Sequence, residues 1–160
     1  MTIEQLEYIY NFHDCDVFTP FEITDDSVTV IFALAKHLQY DELKARYGES
    51  LKSTDRHLIA KIKFSNYSNL QVCEWTPIPS RSASYSKKQN GKIIPLEQFD
   101  TDMEFVSLGI LEDNTLSFPF SRYTVPNKIH EIRFICDNAE IIEEKLLARS
   151  EYDKLWEDFE

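Results

Sequence analysis

The chain has 160 residues, and 17 Lys and Arg stand against 28 Asp and Glu, a formal charge of −11. Hydrophobic residues make up 42% and aromatics 13%, with 11 Phe, 8 Tyr and 3 Gly; this excludes a disordered chain, and a chain this long buries about 70% of its extended surface on folding. The negative field repels a phosphate backbone and argues against nucleic acid as a partner, whereas a basic protein is compatible with it.

The first element in chain order is a helix over residues 2 to 11. Thr2 and Gln5 have the spacing of a capping box, and Ile3, Leu6, Ile9 and Tyr10 share one face. From His13 to Lys36 the period changes to two. Cys15, Val17, Phe21 and Ile23 alternate, Asp25-Asp26-Ser27 breaks the run, and Val28, Val30, Phe32 and Leu34 alternate again. This is a hairpin with one apolar face. Pro20 cannot donate to a ladder, which places the first of its strands at an edge or on a bulge. Residues 37 to 48 form an excursion with a short helix closed by Gly48, followed by a polar loop to Arg56. Leu58, Ala60, Ile62 and Phe64 alternate with Lys61 and Lys63 in the cleanest strand of the chain. Asn66 to Asn69 turn it, and a further strand runs from Leu70 until Pro77 and Pro79 stop it.

Residues 76 to 95 have no apolar period and read as a mobile loop; within it Asn90-Gly91 suits a hairpin turn. Strands follow over Met103 to Leu111, over Leu116 to Phe120 and over His130 to Cys136. Ala139 to Leu147 reads as a strand in its first half, while Glu143 to Leu146 also suit a helix. Ser150 is positioned to cap a final helix anchored by Leu155, Trp156 and Phe159. The expected fold is one mainly β domain over residues 1–160, an antiparallel sandwich or strongly curved sheet with short N- and C-terminal helices; an α+β layer is the alternative.

Cys15, Cys73 and Cys136 are odd in number and widely spaced, with no CxxC pair. They read as reduced, partly buried thiols, which argues against a disulfide scaffold and a thiolate zinc site. The N-terminal segment lacks the charged and apolar regions of a signal peptide, and no apolar run approaches the about 20 residues that span a bilayer. The chain is expected to be cytoplasmic, without a membrane, a metal or another cofactor.

Two groups of residues are candidate sites. His13, Asp14 and Cys15 form a polar step that can share protons or ligate a metal only where the backbone turns, and a structural turn is the competing reading. The partner-binding candidates are Trp75, Arg81 and Tyr85, on the basic and aromatic stretch, and Asp100, Asp102 and Glu104, on an acidic one. No spacing in the chain supports a catalytic constellation, and no glycine loop is present for phosphate.

Asn11-Phe12-His13-Asp14-Cys15, then Asp25 to Val30, then Leu58 to Phe64, resemble small bacterial immunity-type proteins, in which a His-Asp-Ser or His-Asp-Cys step precedes the first strand of a β-rich domain. The resemblance covers roughly the first 72 residues. It implies a neutralising partner of a polymorphic or contact-dependent toxin, and no catalytic residues. The expected function is therefore a non-enzymatic protein-binding domain, an immunity-like inhibitor of a basic toxin. The alternatives are a metal- or thiol-dependent enzyme using His13, Asp14 or Cys15, and a structural or regulatory subunit.

Overall fold

The computed structural model describes residues 1–77, 88–122 and 128–159. In chain order the elements are α1 (Ile3–Ile9), β1 (Asp16–Val17), β2 (Glu22–Ile23), β3 (Ser27–Leu34), α2 (Asp41–Tyr47), β4 (Arg56–Ser65), β5 (Ser68–Pro77), β6 (Lys88–Ile94), β7 (Glu104–Phe105), β8 (Gly109–Ile110), β9 (Thr115–Arg122), β10 (Lys128–Ile135), β11 (Asn138–Ala148) and α3 (Arg149–Phe159). The protein is mainly β, with two antiparallel sheets and short helices at both ends, as expected. The chain divides into two compact units, Met1–Tyr67 with Cys136–Glu160, and Ser68–Ile135.

The first unit holds the sheet β1-β3-β4-β11, with β2 also on β3. The alternation read in β3 and β4 comes from their register. Val28, Val30, Phe32 and Leu34 lie opposite Phe64, Ile62, Ala60 and Leu58, and all eight are buried. The opposite face carries Ile31, Ala33, Ile59 and Leu147, which pack with Phe18 and with Tyr152, Leu155, Trp156 and Phe159 of α3. The α1 capping box forms: Gln5 N donates to Thr2 Oγ1 at 3.1 Å and Thr2 N to Gln5 Oε1 at 2.8 Å. Pro20 divides the edge strand into β1 and β2, both paired with β3.

The second unit holds the sheet β6-β5-β10-β9-β7, with β8 also on β9. Its buried side chains include Val72, Ile94, Leu116, Phe118, Phe120, Ile132 and Phe134. The Phe118 and Phe134 rings stack at 5.9 Å, and Phe99 meets Phe120 edge-on at 4.9 Å.

Four local expectations need correction. Residues 88–94 are a strand rather than part of a loop, so Asn90-Gly91 lies inside β6 and not at a turn. Met103 to Leu111 is not continuous. It supplies β7 and β8, whose pairings with β9 differ by one residue in register across the segment facing Pro119, a residue with no N–H to give. β11 is strand throughout, with no helix over Glu143 to Leu146, and it pairs with β4, whereas β10 pairs with β5 and β9. The final helix starts at Arg149, directly after β11, which puts Ser150 in its first turn rather than at its cap.

Gly91 has a steric reason. The Trp75 indole lies where a Cβ on residue 91 would sit. Substitution Gly91→Ala must push the ring away and strain the Trp75 Nε1 bond to Glu131. The expected cost is about 1–3 kcal/mol. It should appear as a red-shifted Trp75 emission in a Trp156→Phe background, which leaves one of the two tryptophans.

Candidate functional site

The polar step at residues 13–15 does not converge. Asp14 takes a left-handed φ of 55°, and the turn is held by Asn11, whose Oδ1 accepts from His13 N at 2.9 Å. His13 Nδ1 and Asp14 Oδ2 stand 3.2 Å apart, on side chains 73% and 68% exposed, where an ion pair contributes little. Cys15 turns inward and is buried. Burial, followed by the charge of Asp16, pushes its thiol up to about 12, so it is a neutral thiol at physiological pH and a poor nucleophile. Cys73 and Cys136 are also buried and unbridged; Cys136 Sγ donates to Asn138 O and Ser65 O. Among the described residues no group of three or more His, Cys, Asp or Glu is placed to hold a metal ion.

The partner-binding candidates divide. Arg81 and Tyr85 lie outside the described residues. Trp75 is half-buried on β5 and donates from Nε1 to Glu131 Oε1 at 3.2 Å. Asp100 is half-buried, and its carboxylate accepts from Asp102 N at 3.0 Å in a tight turn, leaving the Asp102 side chain exposed. Glu104 is exposed on β7. Asp102 and Glu104 make no ion pair with any described residue, so both carboxylates face solvent.

Behind this acidic stretch is a polar core that sequence reading missed. His130 and Glu131 are neighbours on β10 and therefore point to opposite faces of the sheet. His130 is buried. Its Nδ1 accepts from Asp100 N at 3.1 Å, which leaves the proton of the neutral ring on Nε2, 2.8 Å from Glu74 Oε2. Glu74 sits directly opposite on β5 and also pairs with Lys92 at 3.3 Å. The His130 bond, ahead of Lys92, holds the Glu74 carboxyl below the usual range against the opposing effect of burial. On the other face Glu131 is buried and accepts from Trp75 and from Ser117 Oγ. His130 thereby ties the backbone of the Asp100–Asp102 turn to the sheet, so the exposed carboxylates sit on a fixed support.

A second node missed from sequence lies in the first unit. Glu144 accepts from Tyr10 Oη, Tyr47 Oη and Arg46 Nη1, each at 2.6 Å. Burial opposes its charge, but these donors outweigh burial and hold the carboxyl below its ordinary range. A bulge between Ile141 and Glu143 is what turns Glu144 onto the apolar face, opposite Ala60, and leaves Ile142 exposed.

Among the described residues no helix is long and apolar enough to cross a membrane. No protein-family model, curated protein or solved structure matches the chain.

Proposed function

We propose that the chain is a non-enzymatic binding protein that captures a basic protein partner, and that it is an immunity-type inhibitor of a bacterial toxin. The observation carrying the first part is the charge of −11 displayed on rigid elements. Asp102 and Glu104 are exposed beside a turn tied to β10, and Glu151, Asp153, Glu157 and Asp158 are exposed on α3, whose apolar side is fixed to the sheet. Such a field speeds encounter with a cationic surface and discriminates against acidic ones. The toxin is the expected partner because residues 11–15, 25–30 and 58–64 resemble immunity-type proteins. The state of the 13–15 step favours binding over catalysis there, since the thiol is buried and the His-Asp pair is a surface contact.

The test is affinity capture with the tagged full chain at low and high salt, followed by expression of the captured protein alone and together with the chain. A stoichiometric basic partner, weakened by salt and toxic unless the chain is co-expressed, is the expected result. A salt-insensitive partner, or toxicity that co-expression does not relieve, would overturn the reading.

A further inference from the structure

The first unit contains a cleft whose charge opposes that of the whole chain. After β3 the chain makes a 3-10 turn over Lys36–Leu38, then α2, then a second 3-10 turn over Gly48–Lys52, and returns to the sheet at Arg56. Buried Leu43 and Leu51 anchor this excursion, and Gly48, at φ 57°, reverses it. The cleft, which is open to solvent on one side, has a volume of about 870 Å³, within the range of about 300–1,000 Å³ typical of small-molecule sites. Lys36, Lys44, Lys52, Arg56, His37 and His57 line it, against one carboxylate, Glu49.

Asp55 lies near enough to Lys36 to favour its charge, but among the described residues none of Lys36, Lys44 and Arg56 is held in an ion pair. Glu49 reaches Lys52 at 3.3 Å, but both side chains are well exposed, so the pair is weak and can open. Lys36 Nζ donates to the Ser53 carbonyl, which holds the ammonium at the wall without cancelling its charge. His57 is the most telling member. Its ring stacks flat on Tyr152, with centroids 4.0 Å apart and planes 8° apart, so its direction is fixed. Its Nε2 is buried and has no hydrogen-bond partner among the described residues. A buried polar atom without a partner costs stability and is normally satisfied in native proteins, so it marks a position where a hydrogen-bonding group of a ligand can sit. The charged groups around His57 are Lys36 and Arg149, which disfavour its protonation, and Asp55 and Asp153, which favour it.

We propose that this cleft binds a small phosphate-bearing molecule, with the cations of Lys36, Lys44, Lys52 and Arg56 around the phosphate, Nε2 of His57 donating to one of its oxygens, and Ala45 and Leu51 against the body of the ligand. A phosphate dianion fits better than a carboxylate because its double charge and three terminal oxygens can be shared among several cationic side chains. The inference does not depend on the identity of the protein partner.

The experiment is an NMR titration of the full chain at constant ionic strength, following the ring signals of its four histidines. Inorganic pyrophosphate and AMP are the probes, and sodium chloride is the control. Saturable shifts confined to His37 and His57, with His13 and His130 unmoved, are expected. AMP binding more tightly than pyrophosphate would show that the apolar wall is used; equal binding would place recognition in the phosphate alone. Either supports the site. The double variant Lys44→Gln, Arg56→Gln changes two exposed side chains and should fold normally, while weakening binding by about tenfold or more. Linear shifts spread over all four histidines, or unchanged affinity in the folded double variant, would overturn the proposal.

Discussion

Replacing Glu144 with alanine is expected to cost about 3–4 kcal/mol, more than any surface substitution in this chain. The carboxylate accepts from two phenols and a guanidinium at once, and hydrogen bonds to a charged acceptor are worth about 1.5–3 kcal/mol each. Arg46 is half-exposed and can turn to water when its partner is lost, so the cost comes chiefly from the tyrosines, of which Tyr10 is buried. Glu144→Gln keeps an acceptor but not the charge and should cost about half as much. For a chain of this size the alanine variant should melt about 10 °C lower. The node also sets the pH response. Glu144 has a folded pKa below its unfolded one, so its contribution is complete above the unfolded value and is lost as pH falls through the folded value. Tyr47 behaves in the opposite sense. Burial, and then the Glu144 bond, push its phenol from 10.0 up to about 12, so its contribution is complete below 10 and is lost as pH rises to about 12. Tyr10 shifts in the same direction as Tyr47. Chemical denaturation across pH should therefore show acid and alkaline shoulders in the parent protein, both flattened in Glu144→Gln. Shoulders unchanged in the variant would mean the node does not contribute to stability.

The elements that could be read from sequence are those whose pattern is local. Leu58, Ala60, Ile62 and Phe64 alternate because β4 keeps an unbroken register with β3 through that stretch, and Thr2 with Gln5 closes a capping box within four residues. The missed features depend on a partner strand. Glu143 and Glu144 read as helical or surface residues because their roles follow from a bulge opposite β4, visible only once the two strands are paired. The break between β7 and β8 depends on Pro119 across the ladder, and β6 has almost no β-forming side chains before Ile93, so it is strand only because β5 offers it an edge. The candidate sites follow the same division. Cys15, Cys73 and Cys136 were legible as core thiols from composition. The basic cleft was not, because its members run from Lys36 to His57 and look like a solvated stretch until the excursion folds back.

Phe18→Ala is the other substitution expected to be severe, at about 3–5 kcal/mol. Phe18 lies between the two edge strands, with its amide donating to Ile31 O at 3.0 Å and its ring buried against α3. Ring centroids are 3.9 Å from Trp156, 5.5 Å from Phe159 and 6.1 Å from Tyr152. At 11 residues α3 is too short to hold its helical form alone in water, so its order depends on this contact. Losing the ring removes the central aromatic of the cluster and leaves Ile31, Ala33, Ile59 and Leu147 under a loosened helix. Amides of α3 should then exchange much faster than those of β4, and Trp156 emission should move to the red. The effect should reach the cleft as well. Tyr152 is the platform on which His57 stacks, and burial, with Lys36 and Arg149 after it, holds that imidazole below its ordinary range. Freeing α3 removes the platform, so His57 should titrate closer to the usual value of about 6.5 and bind pyrophosphate more weakly. If α3 stays protected in Phe18→Ala and His57 titrates as in the parent, the helix is held instead by its continuity with β11, and the cleft does not depend on the aromatic cluster.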